Sequence, residues 1–157
     1  MAATSLALTW TAYQPIWSLA KVMGSVLQTL NQKDAEGCVL FLFGTQHGKS
    51  VSTSRLKASL GDQGMKDMLD INNKIVQYAA DAPIAFDKAR GEAVTTEIAQ
   101  HRGGLLTDKS SEVATGARLP ANPHEAQAAC AFSAALYEDI AALPTADAEA
   151  ALRYMFN

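Results

Sequence analysis

The N-terminal part of the chain changes from a two-residue to a helical hydrophobic period. Residues 5–13 alternate apolar and polar side chains and are rich in Thr, Trp and Tyr, which predicts a short strand. From Pro15 the apolar positions follow helical spacing, at Ile16, Leu19, Val22, Met23, Val26, Leu27 and Leu30. This pattern predicts an amphipathic helix over residues 15–32, with proline in its first turn.

The next segment, CVLFLFGTQHGKSVSTS, has no helical period. Its first part, residues 38–45, is apolar on both faces, which is typical of a central strand. Residues 50–54 are strand-compatible, and His47-Gly48-Lys49 between the two parts resembles a turn. We therefore expect a β-hairpin over residues 38–54.

Helical periodicity returns in the rest of the chain. The apolar stripe Met65, Met68, Leu69, Ile75, Val76 and Ala79 predicts a helix over about residues 62–80. A thinner stripe predicts a helix that Asp81 caps, with Pro83 in its first turn, and that ends at Gly103-Gly104. Asn122-Pro123 begins another helix that Pro144 stops, and Thr145 caps a short last one.

Residues 105–122, LLTDKSSEVATGARLPAN, show no clear periodicity. A structureless stretch of that length is uncommon in a compact domain and is usually either a functional loop or a mobile one. Both alternatives stay open.

These elements predict a helix-rich α+β fold. About five helices would cover one face of a small antiparallel sheet built from the N-terminal strand and the hairpin. An all-α bundle is the alternative. With 157 residues and 48% hydrophobic content, we expect residues 1–157 to form a single globular domain.

Composition limits the location and the class of partner. The net charge is −3 and 18% of residues are charged, so the chain is neither globally basic nor of the disordered class. No lysine precedes Lys21, and the longest apolar run, residues 38–43, is too short to span a bilayer. We expect no membrane partner and a cytoplasmic protein, in a bacterium or a virus-infected cell. Cys38 and Cys130 are expected as buried free thiols, with one disulfide as the alternative.

The charges are unevenly spread. No acid stands between Glu36 and Asp62, where the basic side chains are His47, Lys49, Arg55 and Lys57. The last 24 residues carry four acids against one base, Arg153. The pattern indicates either a positive patch and a negative C-terminal face, or two ordinary solvated surfaces.

The segment GTQHGKS raises the question of a phosphate-binding P-loop, GxxxxGK[ST]. The leading glycine should occupy position 43, which is Phe43, whereas Gly44 comes one residue late. Residues 51–54 are also a poor first helical turn. We therefore interpret Gly48-Lys49-Ser50 as part of the hairpin turn, with a looser phosphate contact of Lys49, Arg55 and Lys57 left open.

No residue set indicates catalysis, a metal or a cofactor. His47, His101 and His124 are scattered, no serine stands in a GxSxG elbow, and Cys130 lies in an alanine-rich helical pattern. We expect no enzymatic activity and no cofactor. An enzyme of unfamiliar type, with residues 105–122 as a lid, remains the least favoured hypothesis.

An aromatic cluster, Trp10, Tyr13 and Trp17, stands near the N-terminus. Trp17 falls off the main stripe of its predicted helix. Aromatic anchors are over-represented at protein interfaces, so the cluster is a candidate partner-binding surface. Covering the edge of the core is the alternative.

The stretch APIAFDKAR, residues 82–90, resembles a fragment of helical plant-virus coat proteins, which are helical bundles of similar size that wrap RNA. The resemblance covers these residues alone. The chain lacks the aromatic-rich middle of that family, and Arg90 stands one residue later than in its rod-shaped members. The resemblance implies an RNA-wrapping subunit as one form of nucleic-acid binder.

Three functional hypotheses follow. The first is a non-enzymatic protein that binds another protein or itself, as an assembling subunit, inhibitor or adaptor. The second is a nucleic-acid or phosphate binder whose candidate residues are His47, Lys49, Arg55, Lys57, Arg90 and Arg102. The third is the unfamiliar enzyme.

Overall fold

The structure is a computed structural model that describes residues 19–80 and 87–156. All regular elements in these ranges are helical. Residues 19–33 are helical and are called α1 here. The elements that follow are α2 (Ala35–Phe43), a 3-10 turn (Gly44–His47), α3 (Thr53–Ala80), α4 (Lys88–Arg102), a second 3-10 turn (Gly103–Leu105), α5 (Asp108–Ala114), α6 (Pro123–Ala141) and α7 (Thr145–Phe156).

The α+β prediction is wrong, because the described residues contain no strand and the first part of the predicted hairpin is helical. Its first strand is α2, where Asp34 caps the helix by accepting a hydrogen bond from the Gly37 amide at 3.0 Å. Most residues of α2 are buried or half-buried, so no polar face marks the helical period. A short apolar run of this kind cannot be told from a buried strand by periodicity. The strand predicted over residues 5–13 lies outside the described residues.

Of the second predicted strand, residues 50–54, only Thr53 and Ser54 belong to a regular element, as the first residues of α3. The Ser52 hydroxyl accepts a hydrogen bond from the Arg55 amide at 3.2 Å, as a helix cap does. Gly61, at φ 71°, interrupts the helical backbone, and the part beyond it confirms the helix predicted over residues 62–80. Its apolar stripe is partly misassigned, because Leu69 is 53% exposed whereas Ile71 is buried.

Local signals place α1, α6 and α7 correctly within the described residues. The helix predicted over residues 15–32 is helical wherever it is described. The Asn122 side chain accepts from the Glu125 amide at 2.9 Å, with Pro123 beginning α6 as expected. The final helix begins at Thr145. The predicted Asp81 cap lies outside the described residues, and it is Asp87 that caps α4.

Among the described residues, two apolar clusters form the core. The larger joins residues of α1, α2, α3, α4, α6 and α7 and includes the fully buried Leu27, Leu30 and Ile140. The smaller lies where α2, α5 and α6 meet and contains Val39, Val113, Ala114, Ala126 and Ala129. Because α2 contributes to both, it connects the two clusters.

Cys38 of α2 and Cys130 of α6 form a disulfide, with 6.1 Å between their Cα atoms. Both residues have zero exposure. The expectation of two free thiols is therefore wrong. The sequence separation of 92 between the cysteines hides the pairing, which only the packing of α2 on α6 creates.

In the described ranges, none of the helices has the length and apolar character needed to cross a bilayer.

Candidate functional site

The residues of the P-loop-like segment form the end of a helix. Gly48 adopts the left-handed conformation with φ 68°, as glycine readily does at such a position. The Gly48 amide donates to the Thr45 carbonyl at 3.2 Å, and the Lys49 amide donates to the Gly44 carbonyl at 2.9 Å. These donors are used inside the turn, whereas a P-loop points its amides at the phosphate. A helix, not a strand, precedes the turn.

The turn is fastened to the segment before α6. The His47 Nε2 atom lies 2.8 Å from the Gly116 carbonyl oxygen, within hydrogen-bond distance. Gly116 has φ 77°, and a Cβ atom there would lie 2.8 Å from a ring carbon of Phe43 and 3.0 Å from the Gln46 side-chain oxygen. Glycine is therefore required at position 116 by both conformation and space.

Residues 105–122, which show no periodicity in sequence, contain a short helix. Thr107 and Ser110 form a reciprocal capping box that begins α5. The Ser110 hydroxyl accepts from the Thr107 amide at 2.7 Å. With only seven residues, α5 is too short for a period to be recognised.

The loop that follows α5 is held by Arg118. The Arg118 guanidinium donates to Glu112 at 2.6 Å and to both oxygens of Glu125 at 2.8 and 3.0 Å. It also donates to the carbonyls of Lys109 and Leu119 at 2.8 and 3.2 Å. This fork geometry is specific to arginine.

Glu125 is the anionic centre of this network. It is buried in the first turn of α6 and also accepts the Ala121 amide at 2.8 Å. These bonds, above all those from Arg118, lower the pKa of Glu125 from 4.5 to about 2. Sequence analysis missed both residues. The sequence does place Glu125 three residues after the Asn122 cap, and this spacing predicted the start of the helix. It gave no indication that Arg118 would bind the Glu125 carboxylate.

The three arginines predicted to bind phosphate are each paired with a carboxylate of this chain. Arg55 donates to both oxygens of Asp34, with Nη2 at 2.8 Å from Oδ1. The hydrogen bond from Arg55 lowers the Asp34 pKa. The Arg55 side chain keeps 40% exposure, so the pair is partly solvated.

The other two predicted arginines lie at opposite ends of α4. Arg90 donates to both oxygens of Asp147 in α7 at 2.8 and 2.9 Å. Arg102 binds both oxygens of Asp139 in α6 at 2.7 Å. In each pair the arginine lowers the pKa of the aspartate. Arg90, the last residue of the segment that resembles viral coat proteins, therefore joins α4 to α7 through an ion pair.

The six candidate phosphate-binding residues do not form one cluster. Lys57 pairs with Asp62 at 3.2 Å on the surface, and Lys49 is exposed. Arg55 lines a different cavity from Arg90, and the linings share no residue. The candidate partner-binding residues, Trp10, Tyr13 and Trp17, lie outside the described residues.

The first cavity measures about 400 Å³ and lies between the end of α1 and the starts of α2 and α6. Its lining is mainly polar and includes Asn31, Asp34, Arg55, Asn122 and Gln127. The side-chain oxygen of Asn31 is buried with no hydrogen-bond partner.

The second cavity, called the α4 groove here, measures about 390 Å³ and lies between α4, the end of α6 and the start of α7. Its floor contains Val94, Ile98 and Leu143. Its rim is charged, formed by Arg90, Glu97, His101, Asp139 and Asp147. An apolar floor within a polar rim is the usual anatomy of a protein interface.

The described residues hold no group of three His, Cys, Asp or Glu side chains that could bind a metal ion. The carboxylates with shifted pKa values are Asp34, Glu125, Asp139 and Asp147, and each shift is downward. Burial raises the pKa of Tyr137 to about 12. These shifts keep the carboxylates ionised and the phenol neutral.

Comparison with known proteins gives no match: neither a family model, nor a curated protein, nor a solved structure is significantly similar to this chain.

Proposed function

We propose that this chain is a non-enzymatic assembly protein that associates with further copies of itself. The observation that carries the proposal is the pairing of its arginines with carboxylates of the same chain. Each of the five arginines forms an ion pair with a carboxylate of the same chain. General acid–base catalysis needs a group that exchanges its proton near neutral pH. Four of the paired carboxylates have lowered pKa values and are unsuited to that role: Asp34, Glu125, Asp139 and Asp147.

The α4 groove supports the binding part of the proposal. Its rim carries the carboxylates of Glu97, Asp139 and Asp147 against the guanidinium of Arg90. With Arg102, which binds Asp139, the charges sum to −1. The groove is therefore suited to an apolar contact accompanied by a positive charge.

A second copy of the chain offers such a charge. Residues 45–50 are all exposed, and Lys49 is the charged residue among them, in a stretch that lacks acids between Glu36 and Asp62. A contact between this turn and the α4 groove of the next copy joins two different surfaces. Such a head-to-tail contact builds rings or filaments.

The test is a charge exchange on the full chain, followed by light scattering and native mass spectrometry over a concentration series. We expect Glu97→Lys and Lys49→Glu each to weaken association and the double variant to restore it. Glu92→Lys, an exposed change on the same helix but outside the groove, should have no effect. A monomer at high concentration, or no rescue in the double variant, would contradict self-assembly through these surfaces.

The nucleic-acid hypothesis predicts a different result. RNA binding that weakens steeply with salt and is lost in Lys49→Glu would favour it, because phosphate contacts release counterions. Salt-insensitive or absent binding to RNA, DNA and nucleotides would remove it.

A further inference from the structure

Helix α2 is short and joins the two parts of the core. Its Cys38 belongs to the larger apolar cluster and the adjacent Val39 to the smaller one, and both have zero exposure. A helix of nine residues is too short to be stable in water without tertiary contacts. Its position therefore depends on what fastens it to its neighbours.

Besides its apolar packing, three attachments fasten α2 and the turn after it in the described part of the chain: Arg55 with Asp34 and Glu36, His47 with Gly116, and the disulfide. The Asp34–Arg55 pair lies at its start, and the His47–Gly116 hydrogen bond lies just beyond its end. The first is partly solvated, and solvated ion pairs contribute little. The disulfide to α6 is the third attachment, and it is covalent.

Helix α6, which carries the other cysteine of the disulfide, is packed against more elements than α2. Helix α6 has nineteen residues and contacts α2, α4, α5 and α7. If the bond opens, α2 is therefore the element free to move. The His47–Gly116 hydrogen bond would pass that movement to the loop after α5.

We propose that the Cys38–Cys130 disulfide is a redox clasp that holds α2, the Gly44–His47 turn and the loop after α5 against α6. Two separate thiols need more room than a disulfide. A closely packed interior with both cysteines at zero exposure does not provide that room without a shift. Reduction therefore displaces α2 while α4 and α7 stay packed.

The chemistry is thiol–disulfide exchange. Because both cysteines have zero exposure, a local opening of α2 must first expose the bond. A thiolate of a small dithiol then attacks one sulfur and forms a mixed disulfide with that cysteine, which releases the other cysteine, and the second thiol of the dithiol then releases the first. The protein gains two electrons and two protons, and the dithiol leaves as its own disulfide. In the reverse direction, an oxidised dithiol accepts the electrons and protons. Because such bonds persist under oxidising conditions, the clasp is closed in an oxidising compartment.

Hydrogen exchange read by mass spectrometry tests the clasp on the full chain. The oxidised protein is compared with protein treated with dithiothreitol, and alkylation under denaturing conditions counts the free thiols in each sample. We expect amide exchange after reduction to be at least about tenfold faster in residues 35–47 and 107–122 and unchanged in residues 88–102 and 145–156.

The double variant Cys38→Ala/Cys130→Ala is the control for the reductant, because dithiothreitol should leave its exchange unchanged. If this variant does not fold, the comparison between oxidised and reduced wild-type protein still tests the proposal. Equal amide exchange before and after reduction would overturn the proposal. An equal loss of protection along the whole chain would overturn it too. Two free thiols in protein refolded with oxidised glutathione would overturn it as well.

Discussion

Gly91 of α4 lies directly against Ala150 of α7. A Cβ atom at position 91 would overlap the Ala150 carbonyl oxygen and lie 2.9 Å from the Tyr154 Cβ atom. The close approach brings the two helix backbones together at a point where no side chain fits. From the sequence alone, a glycine at position 91 lowers the helix propensity of α4. In the structure, Gly91 is the contact that sets the distance between α4 and α7.

Gly91→Ala is therefore expected to destabilise the protein. Alanine improves helix propensity by about 0.5–1 kcal/mol, but overpacking against a backbone costs about 1–3 kcal/mol, so the net effect is a loss. Urea denaturation measures it. Gly103→Ala is the control, because nothing lies within 4 Å of a Cβ atom there and its φ of −58° suits alanine. Equal stability of the two variants would contradict the close approach.

Two substitutions at Asp34 separate its roles as helix cap and ion-pair partner. Asp34→Ala removes both and should lower the free energy of unfolding by about 0.5–2 kcal/mol, the usual effect of losing a cap. Asp34→Asn keeps a capping oxygen but loses the charge that Arg55 binds. It should cost less, because the pair is partly solvated. A larger loss with Asn than with Ala, in chemical denaturation, would contradict this division.

The Glu125–Arg118 network should make stability sensitive to acid. The pKa of Glu125 is about 2 in the folded chain against 4.5 for the free side chain, so the unfolded chain binds the proton first. Its contribution is complete above about pH 4.5 and is lost as the pH falls towards 2. Measured by chemical denaturation between pH 6 and 3, Glu125→Gln should show a shallower decline than the wild type.

The matched control for this measurement is Glu92→Gln, an exposed glutamate on α4. It should keep the acid sensitivity of the wild type. An unchanged slope in Glu125→Gln would mean that Arg118 does not hold this carboxylate in its ionised form.

The disulfide should contribute strongly to equilibrium stability. It joins cysteines 92 residues apart, and closing a loop of that length restricts the unfolded chain by about 4–5 kcal/mol in the chain-entropy account. Guanidinium denaturation of Cys38→Ala/Cys130→Ala against the oxidised wild type measures the difference. A loss below about 1 kcal/mol would contradict the chain-entropy account for this bond.

The sequence was informative about elements with strong local signals and misleading about one without them. The helices predicted over residues 15–32 and 62–80 follow from apolar stripes that one partly solvated face makes visible. The start of α6 follows from its Asn-Pro-x-Glu signature. Helix α2 was predicted as a strand because it is covered on most sides, which removes the polar positions that distinguish the two periods.

The candidate site was less predictable than the fold. Arg55, Arg90 and Arg102 form a basic set in sequence, but their carboxylate partners stand 21, 57 and 37 residues away. Charge pairing at such separations depends on which helices pack together, and no local pattern encodes it. The carboxylate partners of Arg118 stand only six and seven residues away, but the stretch around it shows no periodicity that would bring them together.

The amino-acid sequence alone determined that residues 19–32 and 62–80 are helical and where α6 and α7 begin, because caps and periodicity act within a few residues. Tertiary structure decided that residues 35–43 are helical, that Cys38 meets Cys130 and that position 91 must be glycine. It also decided that Arg55, Arg90 and Arg102 face carboxylates of distant parts of their own chain. Each of these depends on contacts between residues distant in sequence, and such contacts form only when the helices pack together.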